Sequence, residues 1–213
     1  MSGILDLLNS DLGKQIISGV SNDTNQPENK TADVMAMALP MLMGAMKRNA
    51  NSEEGASSLM NALNSKHDGS ILDNLDGLFN GGVDTSVKDD GAGILNHVLG
   101  GSQNNLTNAL SQKSGLDSGA VMNILKVAAP LLLGYLGKQQ KTQQVSSSSG
   151  MGDLLGGLLG GGSNQNQQQS LIESVLDGNN DGSVIDDLAG MVLGGGGKSN
   201  SGLGGLLGGL FGK

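Results

Sequence analysis

The sequence predicts an all-α protein: a multihelical bundle built from two internally duplicated helical units, with a low-complexity linker and tail. Three observations predict it. Apolar residues recur at three- and four-residue steps, as in Ile4, Leu5, Leu8 and then Leu12, Ile16, Ile17, Val20, which is the spacing of one helix face. Sustained apolar/polar alternation is missing, and β-branched and aromatic residues are sparse, so nothing favours strands. Finally, VMAMALPMLMGAMKR (34–48) aligns with ILKVAAPLLLGYLGK (124–138), setting Pro40 against Pro130 and Gly44 against Gly134 at an offset of 90 residues.

The elements follow in chain order. GILDLL (3–8) matches GILNHV (93–98) at the same offset, and Ser10 and Asp11 divide the first run into two helices, because the matching residues GGS (100–102) read as a turn. Thr31 and Asp117 are candidate N-caps for the two proline-bearing helices. A proline deep in a helix removes a hydrogen bond and clashes with the preceding turn, at a cost of ~3 kcal/mol unless the helix kinks or restarts; its presence in both copies predicts a shared kink. SEEGASSLMNAL (52–63) starts a helix with Ser52 as cap and two glutamates in the first turn, where they complement the helix dipole. Its partner is QQSLIESVL (168–176). Asp89 and Asp90, before GAGILNHVLG, read as a further capped helix start. DGSILDNLDGLFNGG (68–82) matches DGSVIDDLAGMVLGG (181–195) at an offset of 113, so the second copy carries an insertion of 23 residues after Lys138.

These matches place repeat unit 1 at 1–82, the first part of unit 2 at 83–138, a Gln/Ser/Gly-rich linker at 139–168, the remainder of unit 2 at 169–195 and a Gly/Leu-rich flexible tail at 196–213. Two copies are too few for a solenoid, and a pseudo-twofold arrangement is the simplest geometry. The linker and tail are expected to stay mobile, because their composition offers little surface to offset the entropy of ordering. They share a phrase, LLGGLLGG (154–161) and LGGLLGGLFGK (203–213), which suits a weak adhesive or membrane-surface element.

Composition narrows the function classes. With 20 acidic against 12 basic residues the net charge is −8, which repels phosphate backbones and anionic lipid, and two Phe and one Tyr leave almost no surface for base stacking. Nucleic-acid binding is disfavoured on both grounds, and no nucleic-acid partner is expected. Cysteine is absent, so thiol catalysis, zinc-thiolate sites and disulfides are excluded. The first residues, MSGILDLLNSDLGK, lack the basic head of a secretory signal, giving a cytoplasmic expectation. The longest apolar stretches, 37–46 and 127–137, are shorter than the ~20 residues of a membrane span, so no transmembrane segment is expected.

One stretch imitates a metal site. DGNNDGSVIDDL (177–188) places Asp177, Asn179, Asp181, Gly182 and Ser183 at positions one, three, five, six and seven of an EF-hand calcium loop. The twelfth position is Leu188, and the nearest carboxylates, Asp186 and Asp187, fall early and are short. The first copy has Asn64, Lys66 and Asp68 at the matching positions, a cation where a ligand belongs. A role common to both copies is therefore helix initiation, with Asp68 or Ser70, and Asp181 or Ser183, accepting from free backbone N–H groups. His67 and His97 are the only histidines and occupy non-equivalent positions, so no Ser-His-acid constellation is assembled; both read as exposed or structural. Met35, Met37, Met41, Met43 and Met46 read as core filler more than as a binding face.

The segment ALPMLMGAMKRNANSEEGASSLMNAL (38–63), a GG-rich joint and SGLDSGAVMNILKVAAPLLLGYLGKQ (114–139) together resemble DUF937, a bacterial domain family of unknown function related to YidB. The resemblance covers 1–140 and extends more loosely to 195. It implies a multihelical, homeodomain-like array and brings no catalytic residue with it. The resulting expectation is a non-catalytic protein without a cofactor, associating with an unidentified protein partner or with itself. The alternative is a weak calcium-binding module holding Ca2+ through Asp177, Asn179, Asp181, Ser183 and Asp187.

Overall fold

The structure is a computed structural model that describes residues 3–160. Every regular element among them is helical: α1 (Ile4–Asn9), α2 (Asp11–Thr24), α3 (Glu28–Asn49), α4 (Glu53–Ser65), α5 (Leu75–Phe79), α6 (Thr85–Leu99), α7 (Gln103–Ser114), α8 (Ser118–Thr142) and α9 (Ser148–Gly160), with 3-10 turns at Ser70–Leu72 and Gly100–Ser102.

Side-chain caps set several starts. The Ser10 hydroxyl accepts from the Gly13 N–H at 3.1 Å, Ser52 from Gly55 at 3.0 Å, and the Asp117 carboxylate from Ala120 at 2.9 Å, each quenching a donor that a helix N-terminus leaves free. Two expected starts are corrected. α3 begins at Glu28, directly after Pro27, because proline presets φ for helix entry and Glu28 favours the positive end of the dipole; Thr31 is a fully buried residue in the first turn. Likewise α6 begins at Thr85 after Asp84, which leaves Asp89 and Asp90 in its second turn rather than at its start.

α3 and α8 form the centre. α3 buries Val34, Met35, Ala38, Leu39, Leu42, Met43 and Met46, while α8 is buried without interruption from Val127 to Gly137. α2 and α7 each pack on both central helices; α4 packs on α8, and α9 on α3. α8 is long and apolar enough to cross a membrane by length and composition, with a mean hydropathy of 1.6, yet 78 % of that window is buried within the chain. Its apolar surface is therefore taken up by the fold.

Both helices continue through their prolines, so neither helix restarts there. Pro130 has no N–H to offer the carbonyl of Lys126 one turn earlier, and it is against this carbonyl oxygen that α6 crosses α8 at Gly91, where a Cβ would fall on the oxygen itself. The glycine lets two backbones meet at the point where one hydrogen bond is missing.

A further correction concerns 139–160, the described part of the segment read as a mobile linker, while the remaining residues of that linker, the segment 169–195 and the tail lie outside the described residues. α8 extends to Thr142, and residues 148–160 form α9, burying Met151, Leu154, Leu155 and Leu158. Averaged composition conceals what spacing reveals: these four stand at i, i+3, i+4 and i+7, one stripe of a helix.

Candidate functional site

The chain leaves α4 through a tight turn whose geometry places a histidine. The N–H of His67 donates to the Ala62 carbonyl at 3.1 Å, Gly69 adopts φ +100°, and the Asp68 carboxylate accepts from the Ser70 N–H at 3.1 Å. The positive φ belongs to glycine. The turn then lies on α8: the His67 carbonyl sits against Gly137, and Ile71 fills the space beside Gly134. Lys141 and Lys138 bind Asp68 and Asp73 at 2.9 and 3.3 Å. The hydrogen bonds from Lys141 and Ser70 hold the Asp68 carboxyl well below the usual carboxylate range. The DGS at 68–70 thus starts a short 3-10 turn and fastens it to α8.

With its backbone held there, His67 turns its ring toward α6. Nε2 lies 3.4 Å from the Asp90 carboxylate, and the two side chains are 7 % and 33 % exposed. Burial pushes the His67 pKa down, opposed by Asp90 and reinforced by Lys66. The ring forms one wall of a cleft of about 480 Å3 between α3, α4 and α6, floored by Met46, Leu59, Ile94, Val98 and Leu133 and rimmed by Asp89, Asp90, His97 and Lys66. That volume suits a small ligand or a few side chains of a partner. A larger depression of about 920 Å3, between α9 and the α3–α4 junction and including Lys47, Glu53 and Asp153, is shallower and more polar; depth, an apolar floor and the buried histidine favour the first.

Both histidines of the chain therefore border one cleft, His67 buried and His97 exposed, an arrangement that non-equivalent repeat positions do not suggest. The available signal was adjacency: His67 directly precedes the repeated DGS, whose anchoring on α8 orients it. Ser58 also lines the cleft but makes no side-chain hydrogen bond to either histidine. Among the described residues, no group of three His, Cys, Asp or Glu could hold a metal ion. Asp177, Asn179, Asp181, Ser183 and Asp187, the candidate calcium ligands, lie outside the described residues.

Two long proline-bearing helices at the centre of an all-α bundle, with the turn at 68–73 fastened across α8, define the class of protein. The chain belongs to the bacterial family of unknown function DUF937, whose family model matches residues 6–139 and again 139–213. No curated protein and no solved structure matches it.

Proposed function

We propose that this chain is a non-catalytic, cytoplasmic association module, and that the contact is made between the cleft of one copy and the Gly/Leu tail of another. The observation that supports it is α9. MGDLLGGLLG (151–160) buries Met151, Leu154, Leu155 and Leu158 against the bundle, and the tail repeats the pattern in LGGLLGGLFG (203–212), with Leu203, Leu206, Leu207 and Leu210 at the same spacing. A helix bearing that stripe has one apolar face to cover.

Charge distinguishes the two phrases. α9 carries Asp153 and lies beside Lys47, whereas the tail has glycine at the matching position 205 and, over 196–213, two lysines and no acid. A basic, apolar segment suits the cleft, whose floor is apolar and whose rim carries Asp89 and Asp90 beside the single Lys66.

Light scattering on the full chain, on a chain ending at Leu193 and on Val98→Glu tests the reading. The expected result is concentration-dependent assembly of the full chain, with both variants monomeric. A full chain that stays monomeric at high concentration overturns self-association, and binding of a 196–213 peptide that Val98→Glu leaves unchanged overturns the cleft as its seat.

A further inference from the structure

On α8, the seat for residues 68–73 has three parts. Gly134 opens a space that Ile71 fills, its Cγ2 only 2.5 Å from where a Cβ would stand. Lys138 reaches Asp73 at 3.3 Å and Lys141 reaches Asp68 at 2.9 Å. Val127, Pro130 and Leu131 continue the same surface toward the helix start, all buried.

α3 carries the counterpart of this surface through the repeat, and the described residues leave it open. Gly44 stands for Gly134, and nothing among the described residues lies within 4 Å of a Cβ placed there. Met37, Pro40 and Met41, in place of Val127, Pro130 and Leu131, are only half-buried, and Arg48, in place of Lys138, is exposed. The chain also holds a second copy of the segment that covers α8: Asp181, Gly182, Val184 and Asp186 repeat Asp68, Gly69, Ile71 and Asp73.

We infer that the face of α3 around Gly44 is the seat of residues 181–186 of the same chain, lying there as residues 68–73 lie on α8. Val184 fills the space at Gly44, Asp186 pairs with Arg48, and Asp181 accepts from the amide of Asn51, which stands where α8 has Lys141. The charges are complementary and the glycine needed for the turn, Gly182, is in place. Reach is sufficient: Asp181 stands 21 residue steps after Gly160, which extended span up to roughly 70 Å at ~3.3 Å each, about twice the ~33 Å length of a 22-residue helix such as α3. The copy departs from the original at one point. Lys47 stands where α8 has Gly137, so the residue before Asp181 cannot press its carbonyl onto the helix as His67 does, and the approach to the turn is looser. This inference rests on the repeat and the α3 surface, independently of the tail.

The absence of cysteine from the chain makes the test clean. In the full-length double variant Gly44→Cys/Val184→Cys, mild oxidation is expected to give a disulfide within one chain in most molecules, read by mass spectrometry after non-reducing proteolysis. Two free, reactive thiols, or a disulfide only between chains, overturn the inference. Gly44→Leu gives a second reading by its sign. On an open helix surface leucine outperforms glycine, so Tm would rise; beneath a seated segment it displaces Val184, so Tm falls and 181–195 becomes readily cleaved by protease. A raised or unchanged Tm with unchanged cleavage overturns the inference independently of the disulfide.

Discussion

At the scale of single residues, His67 couples the fold to pH. Its ring is enclosed by α4, α6 and α8, and burial holds its pKa below 6.5 despite the attraction of Asp90. The unfolded chain has no such restraint and takes up a proton as pH falls through about 6.5, while the folded chain resists until the lower folded pKa. Stability contributed by the neutral ring is therefore fully present above that upper limit and declines between it and the folded value. Thermal unfolding followed from pH 7.5 to 5 is expected to show Tm falling in this window for the wild type and for His97→Gln, with the fall reduced in His67→Gln. Equal slopes in all three would remove His67 as the cause. The depressed carboxyl of Asp68 acts in a separate, more acidic range, where losing its charge releases Lys141. Neither environment was legible in the sequence, because a lone polar residue is exposed by default and only the chain's fold brings α6 over His67.

Helices were far more legible than their contacts, and α6 shows why. Apolar spacing announces the helix around Ile94 and Leu95, but Gly91 and Gly93 look alike in GAGIL and behave oppositely in the fold. Gly91 is buried with its backbone on the Lys126 carbonyl, whereas Gly93 is exposed with nothing within 4 Å of a Cβ. A methyl at Gly91 must push α6 off α8, the overpacking that usually costs ~1–3 kcal/mol. At Gly93 the same methyl removes only the conformational freedom of glycine in the unfolded chain, which favours folding by up to ~1 kcal/mol. Urea unfolding of Gly91→Ala and Gly93→Ala is thus expected to shift the midpoint in opposite directions, and matching shifts would show that the crossing tolerates a side chain. α9 teaches the complementary lesson. Its glycines suggest a linker, yet four apolar residues on one stripe suffice once a bundle offers them cover.

For the molecule as a whole, the all-α class was readable in the apolar spacing and the offset that aligns Pro40 with Pro130 suggests a repeat, but whether residues 1–82 and 83–138 pack together was not legible, since a helix pattern specifies that a face is buried without specifying its partner. The family model also matches twice, though its matches meet at 139, not at the 82/83 division that the repeat suggests. The described residues answer the packing question. Leu7, Leu8, Ile16, Met35 and Leu39, from α1 to α3, surround a void of only about 10 Å3 together with Ala128, Leu131 and Leu132 of α8, so side chains from before and after residue 82 fill one interior. The buried Asp23 carboxylate at the end of α2, its side chain 4 % exposed, likewise holds the Val83 N–H at 2.7 Å and Lys88 at 3.0 Å. Removing the residues after 82 would uncover those five residues, and at ~1.5–3 kcal/mol for each fully buried aliphatic side chain their loss is comparable to the whole net stability of a typical domain, about 5–15 kcal/mol. Residues 1–82 alone are therefore expected to give little helical circular dichroism at micromolar concentration, while the full chain unfolds in urea as one transition reported alike by probes near Leu39 and near Leu132. A monomeric, cooperatively folded 1–82, or two separated transitions in the full chain, would show that each unit completes its own core and that the crossing of α3 and α8 is only a contact between finished domains.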